Sequence, residues 1–164
     1  MALSEQTQQL AQHLGELLAN HGWQISCAES CTGGGIGYAI TSVSGSSAWF
    51  EKGFLTYSNA AKSDLLGVQA STLIEHGAVS SQVVEQMAKG AAKNANADIA
   101  ISVSGIAGPD GGSAEKPVGT VWFGMYFANK ISSVKQCFKG DRHQVREQAI
   151  NFALNYCIKT MQTL

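Results

Sequence analysis

Residues 23–35 read WQISCAESCTGGG, an apolar run that ends abruptly in small, polar and glycine residues. Residues 23–28 have the length and character of a short buried strand, and the three glycines lead into a segment, 36–43, that suits a helix with small residues on one side. A strand that passes through glycines into a helix is the basic step of a layered α/β fold.

The same grammar continues in both directions. Upstream, Ser4 is placed as the N-cap of an amphipathic helix carrying Leu10, Leu14, Leu17 and Leu18, and Gly22 stops it. Downstream, residues 52–57 (KGFLTY) predict a strand, and Asn59 is expected to cap a short helix that runs through Leu66 to Gly67. Ser80 or Ser81 caps a longer helix over 83–95, and a strand at 98–104 (DIAISVS) ends in a glycine-rich loop. Residues 118–128 and 131–138 form a predicted hairpin turning at Asn129–Lys130. Asp141 caps the last helix, with Gln144 spaced for a capping box. Alternation that gives way to a hairpin predicts one domain over residues 1–164. The expected architecture is a three-layer α/β/α sandwich with a mixed, mostly parallel sheet.

Composition removes several classes of function. Eleven basic and twelve acidic residues give a formal charge of −1, so the polycationic footprint that nucleic-acid binding needs is lacking. No run approaches the ~18 apolar residues of a membrane span, and the N-terminus does not read as a signal peptide. The four cysteines (27, 31, 137 and 157) form no CxxC pair, which points to free thiols in the cytoplasm. The four histidines lack metal-ligand spacing, so neither a metal nor a cofactor is expected.

Four stretches carry chemistry. In AESCTGGG (28–35), Ser30 and Thr32 bring hydroxyls to a helix start, where free N–H groups suit an anion or an oxyanion. The same pattern also serves as a plain capped helix. SGIAGPDGG (104–112) follows a strand, so if the two strands run parallel the two loops open on one crevice. In Tyr57-Ser58-Asn59 with Lys62, a lysine near a helix start has its charge disfavoured by the dipole. If it is also desolvated its pKa falls, and a neutral amine beside a serine can act as general base. Arg142 and Arg146, one helical turn apart, could share a phosphate or stand as ordinary surface charges.

AESCTGG, GSSAWFEKGFLTYSNAAK (45–62), HGAVS (76–80), SGIAGPDGGSAEKPVGTVWF (104–123) and FKGDR (138–142) together resemble the CinA C-terminal domain family, in order and across essentially the whole chain. The match is closest to its stand-alone PncC-type members, without the large N-terminal domain of longer relatives. The resemblance implies deamidation of nicotinamide mononucleotide to nicotinate mononucleotide and ammonia, in the recycling of NAD. On that reading Ser30 is the nucleophile, Lys62 the base and Tyr57 an orienting or relaying group. Thr32, Gly33 and Gly34 hold the oxyanion, Ser104 and Gly105 contact the ligand, and Arg142 with Arg146 takes the phosphate. Ser46, Ser47 and Cys31 stand as rival nucleophiles, the two serines also as substrate contacts. A homodimer is expected, with the small molecule as the other partner. The competing reading is a nucleotide-binding or regulatory module without catalysis.

Overall fold

The computed structural model describes residues 2–164. One five-stranded sheet carries helices on both faces. Helix α1 (Glu5–His21) leads to β1 (Ile25–Glu29), α2 (Gly35–Thr41) and the two-residue β2 (Phe54–Leu55). Helices α3 (Asn59–Leu66), α4 (Ala70–His76) and α5 (Ser81–Ala95) precede β3 (Ile99–Gly105). The hairpin β4 (Thr120–Phe127) and β5 (Lys130–Cys137) then leads to α6 (Arg142–Met161). Strand order is β2-β1-β3-β4-β5; β1 pairs in parallel with both β2 and β3, whereas β4 is antiparallel to β3 and to β5. Four strands therefore point one way and β4 alone is reversed.

Because β1 is covered on both faces, all five of its residues are buried. Leu14, Leu18, Ile36 and Leu154 of α1, α2 and α6 pack on Ile99, Ile101 and Phe123 on one side. Leu66, Val83, Val84 and Met87 meet Ala28 and Ala100 on the other. This is the three-layer arrangement the alternating pattern predicted.

The caps follow local chemistry. Ser4 accepts from Thr7 N, Gly22 closes α1 in the left-handed region, and Asp141 and Gln144 form a reciprocal capping box. Three details differ. The cap of α3 is Ser58, whose hydroxyl accepts from Ala61 N, so Asn59 is the first helical residue. The hairpin turns on Ala128 and Asn129, both at positive φ, one residue before the expected pair. The strand expected over 52–57 shrinks to Phe54–Leu55, because only those two residues find register with Ala28 and Glu29.

One close approach fixes the helix that carries Lys62. A Cβ added at Gly90 in α5 would lie 2.0 Å from the Leu66 carbonyl oxygen at the end of α3. Gly90→Ala should destabilise the protein by about 2–3 kcal/mol, read by denaturant unfolding. An unchanged midpoint would mean that this contact does not hold α3 in place.

Candidate active site

Three neighbouring parallel strands end at one edge of the sheet, and each delivers a polar residue there. Ser30 follows β1, Thr56 and Tyr57 follow β2, and Ser104 and Gly105 close β3. The chain leaves β1 toward β2 by way of α2 on one face and reaches β3 through α3–α5 on the other. Such a switch point opens a crevice beyond the carboxyl ends of the strands. A cavity of about 290 Å³ lies there, lined by Ser30, Tyr57, Lys62, Ser104, Gly105 and Arg142, among others.

At its floor, Lys62 Nζ lies 3.0 Å from Ser30 Oγ. The amine also donates to the main-chain carbonyls of Thr56 at 2.9 Å and Tyr57 at 3.2 Å. Lys62 is only 1% exposed, and among the described residues the ion pairs are confined to His76–Glu75 and His143–Glu147. Burial takes the Lys62 amine out of water with no carboxylate beside it, and this lowers its pKa from the ordinary value. A neutral amine has two N–H donors and one lone pair. The two carbonyls take the donors, leaving the lone pair for the Ser30 hydroxyl. Protonated, the same nitrogen has three donors for three oxygens, so the site accommodates a proton arriving from Ser30.

Tyr57 touches this pair through its carbonyl rather than its phenol. The residue is 61% exposed, and its hydroxyl accepts a 3.3 Å bond from Arg142 Nη2. Arg142 Nη1 donates to the Gly108 carbonyl at 2.9 Å, tying the start of α6 to the loop after β3. Asn59, Ala78, Val79 and Asp110 also line the cavity. Asn59 belongs to the Tyr57–Lys62 cluster and Asp110 to the 104–112 loop read from sequence, whereas Ala78 and Val79 enter only through the HGAVS stretch.

Other expected contacts lie elsewhere. Arg146 donates through Nε to the Cys31 carbonyl and, with Thr32 and Gly33, lines a separate cavity of about 510 Å³ beside α1. The Thr32 hydroxyl donates to the Glu29 carboxylate at 2.5 Å, turned inward from the crevice. The start of α2, read from sequence as an anion site, is occupied by that same carboxylate, which accepts from Ile36 N and Gly37 N. Gly33 N–H is spent on the Ser30 carbonyl, and Gly34, the α2 N-cap, supplies no side-chain bond. Ser46 and Ser47 lie in a short 3₁₀ turn that packs beside the amino end of β1, where Gln24 Nε2 donates to Ala48 O. That is the opposite edge of the sheet from Ser30. Cys31 does line the crevice, but burial pushes its thiol up to about 11, which leaves little thiolate at neutral pH.

The sequence model of the CinA C-terminal domain family matches residues 7–161. The chain belongs to that family. This CinA-family chain is 59% identical over 154 residues to a nicotinamide-nucleotide amidohydrolase PncC from Enterobacter agglomerans, spanning 92% of this chain and 93% of that one. It is 55% identical over 147 residues to the protein of the same name from Escherichia coli strain K12, covering 89% of each. Its fold matches the crystal structure of the competence/damage inducible protein CihA from Agrobacterium tumefaciens with a TM-score of 0.94 at 40% identity, over 97% of this chain and 98% of that one. Among the described residues no helix is long and apolar enough to cross a membrane, and no three His, Cys, Asp or Glu side chains cluster as metal ligands.

Proposed function

We propose that this protein hydrolyses the carboxamide of nicotinamide mononucleotide to nicotinate mononucleotide and ammonia. The observation that carries this reading is the buried Ser30–Lys62 pair at 3.0 Å, at the bottom of a crevice whose wall includes Arg142. The similarity to nicotinamide-nucleotide amidohydrolases over nearly the full length of both chains supports the substrate.

In this mechanism Ser30 Oγ attacks the amide carbon while its proton passes to neutral Lys62. The tetrahedral oxyanion calls for N–H donors from the residues that line the crevice around Ser30, since Thr32 and Gly33 line the separate cavity beside α1. The Lys62 ammonium returns its proton to the departing nitrogen, which leaves as ammonia, and water then hydrolyses the acyl-enzyme with Lys62 again as base. Tyr57 orients the pair through its carbonyl, Ser104 and Gly105 form the facing wall, and Arg142 takes the phosphate. We assign the reaction to pyridine nucleotide recycling in the cytoplasm. We also propose a homodimer, supported by the exposed apolar side chains of Leu55, Leu65 and Ile74.

The direct test is ammonia release from nicotinamide mononucleotide by the purified protein. Tight binding without release would replace the enzyme with a nucleotide-binding module. Arg142→Ala should raise KM for the mononucleotide at least about tenfold, the scale of one charge-assisted contact. It should leave the phosphate-free riboside almost unaffected. Equal losses on both substrates would remove Arg142 from the phosphate.

A further inference from the structure

The reaction makes no use of Glu29, although it is an acidic side chain only 2% exposed. A carboxylate costs several kcal/mol to bury unless hydrogen bonds replace its hydration. Here they do. Oε1 accepts from the Thr32 hydroxyl at 2.5 Å and from Ile36 N at 2.9 Å, and Oε2 accepts from Gly37 N at 2.9 Å. Ile36 and Gly37 lie in the first turn of α2, where a negative charge is also favoured by the helix dipole. Gly34, at the N-cap, has no side chain to satisfy those amides.

Gly34 sits at φ 98°, where a serine or aspartate would be strained, so the usual N-cap side chain is ruled out and Glu29 takes the amides instead. What Glu29 adds is closure. It is the last residue of β1, and its side chain bonds to residues 32, 36 and 37, so both ends of the 30–34 turn are fastened to one carboxylate. Ser30 is the first residue of that turn. Glu29 does not line the crevice and so acts only through others.

We infer that Glu29 is a positioning residue: its carboxylate clamps the β1–α2 turn and thereby holds Ser30 Oγ at bonding distance from Lys62. The inference rests on Ser30 as nucleophile and reassigns the Thr32 hydroxyl from substrate to clamp.

The test compares Glu29→Gln, Thr32→Val and Thr32→Ser with the wild type. Two readouts are used: turnover of nicotinamide mononucleotide, and the rate at which a fluorophosphonate labels Ser30, which does not depend on that substrate. The glutamine keeps the shape of the side chain but faces donors with an N–H₂ group. Glu29→Gln should lose on the order of 10²-fold in kcat, the scale of an ångström-sized misplacement, with KM nearly unchanged. Labelling should slow in parallel, and the inflection of the pH–rate profile should stay in place while its height falls. Thr32→Val should show a smaller loss of the same kind, and Thr32→Ser should restore it. Wild-type kcat and labelling in a folded Glu29→Gln protein would overturn the clamp, as would a loss confined to KM. If Glu29→Gln does not fold, the threonine pair decides, and a folded Thr32→Val with wild-type kcat overturns it equally. A wild type inert toward the mononucleotide but labelled at Ser30, with labelling slowed in the variants, would sink the proposed substrate and uphold the clamp. Turnover that is equal in wild type and variants would do the reverse.

Discussion

Ser30→Ala should leave a folded protein whose release of ammonia from nicotinamide mononucleotide falls on the order of 10⁴-fold or more, the scale seen when a nucleophile is removed from a concerted site. The residual rate would come from binding and the oxyanion donors alone. Stability should change by no more than about 1 kcal/mol, since the hydroxyl contributes one short bond to Lys62 and a longer one to the Tyr57 carbonyl. The informative comparison is with the rival nucleophiles. Cys31 has its thiol pushed up by burial, and Ser47 lies at the far edge of the sheet, so Cys31→Ala and Ser47→Ala should both remain readily measurable. Steady-state kinetics on the three proteins settles the point. A Ser30→Ala enzyme near wild-type rate, or a dead Cys31→Ala enzyme, would reverse the assignment.

Lys62→Met should cost on the order of 10³–10⁴-fold in kcat/KM, the general-base contribution together with the lost orientation of Ser30. Methionine has about the same length and carries no base. Lys62→Arg should not rescue, because a guanidinium stays protonated and cannot accept the serine proton. The wild-type rate should rise with pH as Lys62 deprotonates, with its inflection below the ordinary lysine value of about 10.4, because burial lowers the pKa.

The same shift makes a prediction about stability. Between the lowered folded-state value and the ordinary value the unfolded chain holds more protons than the folded one, so stability rises with pH across that window. Above it the gain is complete, and below the folded-state value the full penalty of burying the ammonium applies. Denaturant unfolding of wild type against Lys62→Met should show the difference shifting toward the wild type as pH climbs. A pH-independent difference, or an inflection at or above the ordinary lysine value, would mean that Lys62 is not the base.

Much of the fold was legible because it is local. The Ser4 cap, the Gly22 stop and the Asp141–Gln144 box each close within a few residues, so spacing alone identifies them. Helix α4 escaped, since its seven residues bury little beyond Thr72 and leave no clear apolar face. Ser30 and Lys62 could be picked out singly as a hydroxyl and a base at element ends. Their contact spans 32 positions and exists only because β1 and β2 lie side by side. Glu29 went unread because its partners are set by how the turn folds back onto α2, and its neighbours in sequence read as buried strand.

The arginines mark the same boundary. A spacing of four residues puts Arg142 and Arg146 on one side of α6, and sequence can say no more than that. Packing sends one to the Gly108 carbonyl at the crevice and the other to the Cys31 carbonyl beside a different cavity. The sequence by itself determined the order of the elements other than α4, the caps of α1, α5 and α6, and the layered class, all of which follow from periodicity and short-range hydrogen bonds. Only the tertiary structure decided which polar groups share the crevice and that Lys62 sits in it without a carboxylate. Burial and cross-strand register arise from residues far apart in the chain, and they set the protonation on which the proposed chemistry depends.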